Sequence, residues 1–267
     1  LKQSSTAGLF DKLVFYLEAC ESGSMFSWLP KTNASNGLNI YATTASNAKE
    51  SSWGTYCMPQ DKVDGKEVGS CLGDLYSVNW MEDADKGTAK ETLQSQFTKV
   101  QQLTTKSHVM QFGLTSIAAD HTTEYEGNKD SVAVVGDDAA DARRSSMASF
   151  EATLESAYRR ALKGDENAVQ ELSEILQARM DAKRRFDRLS HAIAGVAADA
   201  LPSHEGHSVA CHYAAHKAYI ANCGEYHPET IFYSATLASL CKHTKGDAMR
   251  VVNAVKAECP AEEVEVA

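Results

Sequence analysis

A cysteine can act as a nucleophile where its thiol is partly exposed and backbone amides nearby can hold a developing oxyanion. Cys20 sits in such a place. Leu13-Val14-Phe15-Tyr16-Leu17 is an apolar, β-favouring run, and the polar turn Glu18-Ala19-Cys20-Glu21-Ser22-Gly23-Ser24 carries the chain off its end. Gly23 permits a close backbone approach in that turn. A free cysteine has another common fate, as a small buried hydrophobe, and spacing by itself leaves both readings open. Glu18 lies two residues before Cys20 and shares its face if the strand continues that far. Ser52 follows a second strand and Asp74 opens a helix, so both could converge on the thiol as fixed polar groups for a substrate side chain. Their plainer reading is a solvated carboxylate, a loop serine and a helix N-terminal aspartate.

Metal chemistry is the rival. Cys211, His212 and His216, with His204 and His207 nearby, offer ligands at helical spacing. No Cys-x-x-Cys pair occurs, however, and Cys211, Cys223, Cys241 and Cys259 follow one another at intervals of 12, 18 and 18 residues, which suits disulfides between helices. No metal and no cofactor is therefore expected. Cys57 and Cys71 bracket a Pro/Gly/Asp/Lys loop, which makes six pairable cysteines out of seven and leaves Cys20 over. That count points to an oxidising compartment. The sequon Asn33-Ala34-Ser35, with Asn33 as the glycosylation site, leans the same way.

The elements that must position these groups alternate between strand and helix. After the strand at 13–17, Leu38 to Thr44 reads as a second strand, Leu72 to Asp85 and Glu91 to Thr104 as helices, and His108 to Phe112 as a last strand. In such α/β arrangements ligands sit at strand ends. From Thr122 the apolar pattern fails, and Gly127, Gly136, Asp137-Asp138 and Arg143-Arg144 mark an exposed, cuttable linker. Beyond it the chain reads as helical. In the long helix after Gly164, Val169, Leu172, Ile175, Leu176, Met180, Phe186, Leu189, Ile193 and Val196 recur at spacings of mostly three and four, up to a stop at Pro202. Shorter helices follow around 208–222, 228–242 and 246–258. The expected division is an α/β piece at 1–121, a linker at 122–145 and an all-α domain at 146–267.

The net charge of −10 argues against nucleic acid as a partner, and no apolar run is long enough to span a membrane. Residues 1–142 carry a net −8 and residues 143–267 a net −2. Arg179, Lys183, Arg184, Arg185 and Arg188 form a basic stripe that could dock on the acidic first half. The first residues show no signal-peptide pattern, so the chain reads as a piece of a longer protein.

Four blocks carry a resemblance. Tyr16-Leu17-Glu18-Ala19-Cys20-Glu21-Ser22-Gly23-Ser24-Met25 strongly resembles the nucleophile segment of legumains, also called asparaginyl endopeptidases or vacuolar processing enzymes. Asn39-Ile40-Tyr41-Ala42-Thr43-Thr44-Ala45, Glu50-Ser51-Ser52-Trp53-Gly54-Thr55-Tyr56-Cys57 and Leu72-Gly73-Asp74-Leu75-Tyr76-Ser77-Val78-Asn79-Trp80-Met81-Glu82-Asp83 agree in family order. Together they cover residues 12–113; the tail is similar in architecture and cysteine number rather than in sequence. The Cys57 and Cys71 pair looks like the plant and algal branch.

The resemblance implies the C-terminal part of a caspase-like α/β sheet followed by an all-α, death-domain-like prodomain with an activation helix. It implies cleavage of peptides and proteins after exposed Asn, and after Asp at acidic pH, with the prodomain as the chain's own inhibitor. Cys20 matches the family's nucleophile; Glu18, Ser52 and Asp74 match polar residues of its S1 pocket. Cys57–Cys71, Cys211–Cys241 and Cys223–Cys259 are the implied disulfides, and a vacuole or lysosome reached through the secretory pathway, or the cell exterior, is the implied location. The family's catalytic His stands in an Asp-His-Gly turn upstream of the nucleophile. None of the nine histidines here has that context, so this chain alone is expected to be inactive. Asn128, Asp130, Asp137, Asp138 and Asp141 are candidate processing sites. Two other outcomes stay open: a transpeptidase, in which an amine resolves the acyl-enzyme, and a catalytically dead binding homologue.

Overall fold

The structure, a computed structural model, describes residues 1–33, 37–86, 90–127, 145–204 and 206–259. The five candidate processing residues and most of the expected linker lie outside them. Two compact units divide between Ser156 and Ala157, later than the 145/146 boundary read from the sequence.

The first unit contains α1 (Lys2–Thr6), β1 (Leu13–Leu17), β2 (Ile40–Thr44), β3 (Trp53–Thr55), β4 (Lys62–Val63), β5 (Lys66–Glu67), β6 (Gly73–Asp74), α2 (Leu75–Lys86), α3 (Leu93–Leu103), β7 (Met110–Gly113) and β8 (Ser146–Ala148). Its main sheet runs β1-β2-β7. β1 pairs parallel to β2, Leu13 opposite Ile40 and Leu17 opposite Thr44, and β7 closes antiparallel on the other side. β2 is buried at every position, as a central strand covered on both faces must be. Ile40 and Ala42 pack with Phe26 and Leu29, while Tyr41 points the other way into Leu93, Leu114, Ile117 and Ala118. Gly113 is required at the β7 end: it has φ +81°, and a Cβ there would lie 2.1 Å from the Ile40 carbonyl oxygen. α3 begins where the Thr92 hydroxyl accepts the Ser95 amide. Its Val100 meets Tyr76 of α2 with Ala45 and Val109 beneath them.

A second sheet has the order β6-β3-β8, and β4 with β5 makes a hairpin inside the loop closed by Cys57–Cys71. β8 corrects the expectation that the chain is wholly helical after the linker. Met147 and Ala148 lack alternating polarity, so no period-2 pattern announces a strand there; the partner, β3, lies far back in sequence.

The division between the units falls inside α4 (Ala152–Leu162). The second unit continues with α5 (Glu166–Ala194), α6 (Val209–Cys223), α7 (Ser234–His243) and α8 (Ala248–Glu258). Asp165 caps α5 by accepting the Asn167 and Ala168 amides. The helix ends not at Pro202 but at Gly195, whose left-handed φ of 73° turns its N–H onto His191 O. Phe186, Leu189 and Ile193 of α5 bury against Tyr219, Leu237, Leu240, Val251 and Val255. Val169, Leu176 and Met180 of the expected stripe are exposed instead, and Ala168, Ile175 and Ala182 take the buried positions. Cys211–Cys241 and Cys223–Cys259 tie α6 to α7 and to the end of α8.

The basic stripe on α5 finds partners inside its own unit. Arg179 pairs with Glu229, Lys183 with Asp187, Arg184 with Asp181 and Arg188 with Glu258, and Arg185 donates to the Tyr219 hydroxyl.

Candidate active site

The turn after β1 is held from behind. Ser46 Oγ donates to Ala19 O at 2.9 Å, the Ser22 amide donates to Ser46 Oγ at 3.1 Å, and the Glu21 and Gly23 amides donate to Glu50 O and Ser46 O. A Cβ on Gly23 would sit 3.0–3.1 Å from the backbone of Asn47 and Ala48, so this approach needs glycine. Glu21, next to the thiol, is held at φ 53°, a strained conformation for a residue with a side chain. The result is a sharp corner that presents Cys20 half-exposed, the free cysteine among the seven.

Ser51 Oγ lies 3.2 Å and Ser52 Oγ 3.6 Å from Cys20 Sγ. Ser51 gives its proton to Ser52 O at 2.7 Å, so toward the thiol it accepts. Ser52 Oγ is 3.1 Å from Ser149 Oγ, and Ser149 Oγ donates to Asp74 Oδ1 at 3.1 Å. Ser149 is delivered by β8, which pairs antiparallel with β3: Trp53 opposite Ala148, Gly54 opposite Met147 and Thr55 opposite Ser146. The Ser149 amide also donates to Ser52 O at 3.0 Å.

Glu18 stands at the N-terminus of α2. Its Oε2 accepts both the amide and the hydroxyl of Ser77, each at 2.8 Å, whereas Oε1 is buried with no hydrogen-bond partner. Burial pushes its pKa up to about 7; the two Ser77 hydrogen bonds oppose this, and Asp74 adds to it. Behind the serines, Glu50 accepts the Asn47 amide and both the amide and ring of His108. Although burial raises the Glu50 pKa, those hydrogen bonds and the His108 charge leave it lowered, while His108 is raised by the same contact.

Residues 1–128 match the model of the peptidase C13 family. The resemblance to peptidase C13 proteins thus covers the first 128 residues. A vacuolar-processing enzyme of Citrus sinensis is 48% identical to the chain over 133 residues, 48% of this chain and 26% of that protein. One from Glycine max is 46% identical over 136 residues, again 48% of this chain and 26% of the relative. A legumain of Canavalia ensiformis is 46% identical over 136 residues, 48% of this chain and 28% of that protein. The chain thus spans about a quarter of the length of these curated relatives. The C13 family implies a caspase-like α/β fold, which the sheet β1-β2-β7 with α2 and α3 fits.

Around this turn the structure gathers Cys20 and Ser52 directly, and joins Asp74 to Ser52 through Ser149. Glu18 and Asp74 are coupled by charge. The sequence does not single out Ser51 and Ser149 as site residues. Serines are abundant in turns and helix starts, and nothing in their spacing separates these two from others. Asn33, the sequon residue, is exposed. The six paired cysteines are all in disulfides, and among the described residues no group of three or more His, Cys, Asp or Glu side chains is arranged to hold a metal ion. No described helix is long and apolar enough to cross a membrane.

Proposed function

We propose that this chain is the nucleophile-bearing part of a legumain-type cysteine endopeptidase, made as a zymogen. In it Cys20 attacks the peptide carbonyl, and Glu18, Ser52 and Asp74 receive the Asn side chain of the substrate. A carboxylate and a hydroxyl satisfy the two ends of an amide, and a protonated carboxylate accepts Asp at lower pH. The remaining catalytic groups, the His above all, come from a segment upstream of Leu1. Among the described residues Cys20 Sγ has serine hydroxyls as its hydrogen-bond partners, which fits a base supplied by another segment. The substrates are peptides and proteins with exposed Asn, and the compartment is the vacuole or lysosome.

The observation that carries the zymogen reading is the position of 146–149. Antiparallel addition of a strand to β3 is how an extended peptide binds a sheet edge, and Ser149 then spends its hydroxyl on the same Ser52 and Asp74 that the substrate would need. The helical unit that follows is read as the death-domain-like prodomain, with the linker as the place of cutting. The glycan at Asn33 belongs to the same secretory reading.

The test uses the longer protein, with its upstream half. After acid treatment it should cleave an Asn-containing fluorogenic peptide, the Cys20→Ala variant should not, and both should unfold at the same temperature. Turnover in the Cys20→Ala protein would remove the assignment.

A further inference from the structure

The Glu18 carboxylate uses its two oxygens unequally. Oε2 takes two donated hydrogen bonds from one residue, the amide and hydroxyl of Ser77, at 2.8 Å each. Oε1 is buried and takes none. A buried carboxylate oxygen without a donor is costly unless a ligand supplies one. Ser77 is the third residue of α2, so its N–H is among the free donors of the helix start, where a negative charge is favoured. The other groups facing Glu18 disfavour its charge: Asp74 repels it, and the buried Tyr76 hydroxyl, itself raised by burial first and by Glu18 in part, offers it no cation. Among the described residues, no Lys, Arg or His is among the groups that shift Glu18.

We propose that Ser77 is a positioning residue for the specificity carboxylate: by holding Oε2 it turns Oε1 to the substrate side chain. The inference rests on Glu18 being part of the Asn-accepting pocket. Ionised, Oε1 accepts the amide NH2 of Asn; protonated, Glu18 donates to the carboxylate of Asp. Ser77 therefore places the crossover between the two substrates. Burial alone would leave Glu18 protonated to still higher pH, and the Ser77 hydroxyl brings its midpoint back toward neutrality.

The test is a carbon-13 titration of the 267-residue chain labelled at the glutamate carboxyls, with the Glu18 signal assigned by its loss in Glu18→Gln. Ser77→Ala keeps the amide donor and removes the hydroxyl, and alanine is the best residue for a helix interior. The Glu18 midpoint should rise by about one pH unit, the worth of one charge-assisted hydrogen bond. Ser77→Thr, which restores a hydroxyl, should return it. An unchanged midpoint in a folded Ser77→Ala protein overturns the proposal, as does a midpoint in Ser77→Thr that stays with the alanine variant. Should Ser77→Ala fail to fold, Ser77→Cys keeps a weak donor of similar size, and the same comparison applies with a smaller rise. In the longer protein, Ser77→Ala should extend Asp cleavage toward neutral pH relative to Asn cleavage. If the midpoint moves and neither substrate is cleaved, Ser77 keeps its role on Glu18, and the peptidase reading is what fails.

Discussion

Acid should weaken the helical unit through one histidine. His212 on α6 is half-buried, with the His207 ring 5.0 Å away. Its pKa is pushed down to about 4, first by burial, then by the charges of His207 and His216, against a hydrogen bond to the Ser234 backbone that raises it, with His204 adding to the lowering. Unfolded, the ring titrates near 6.5. Between those values the unfolded chain binds the proton and the folded one does not, so stability rises with pH in this window. The contribution is complete above pH 6.5 and is lost as pH falls from 6.5 to 4. At pH 4.5 the shift corresponds to about 2.5 kcal/mol; solvent screening of a partly exposed ring reduces this to roughly 1–1.5 kcal/mol. For a domain of this size that is about 5 °C or more in Tm. The perturbation is His212→Gln, which carries no titrating ring and retains a donor for Ser234. Thermal unfolding of both proteins, followed by helical circular dichroism at pH 7 and 4.5, gives the comparison. The wild-type chain should lose about 5 °C more on acidification than the variant. Equal acid-induced losses would refute the reasoning and leave carboxylates elsewhere as the acid-sensitive groups.

Two further outcomes follow from contacts in the chain. Ser149→Ala removes the hydroxyl shared with Ser52 and Asp74. One such bond contributes about 1–1.5 kcal/mol, so hydrogen exchange of the β8 amides should quicken by roughly tenfold, and unchanged exchange would show that the strand is held without it. Replacing Cys211 and Cys241 together by alanine opens a bridge between residues 30 apart in sequence. Denaturant unfolding of the helical unit should show a loss of about 3–4 kcal/mol, whereas a loss below about 1 kcal/mol would mean that the core holds α6 to α7 unaided.

Several features were written locally. The strand at 13–17, the helices near α2, α3 and α6 to α8, and the polar turn holding Cys20 follow from apolar period, capping residues and glycine, all of which act over a few residues. The odd cysteine count singled out Cys20, because six others could pair, and the four blocks around it carried the family resemblance. Tertiary structure decided the rest. Gly195 ended α5 ahead of Pro202 because a left-handed cap needs only a glycine. Val169, Leu176 and Met180 kept the helical period but face outward, since periodicity marks a face without saying whether anything covers it. Arg179 to Arg188 read as a free basic stripe until Glu229, Tyr219 and Glu258, distant in sequence, were seen beside it. Ser146–Ala148 became a strand because β3 offered an open edge, and that pairing carried Ser149 to Ser52 and Asp74. That Ser149 joins Ser52 and Asp74 is a matter of long-range register, and no local pattern encodes it.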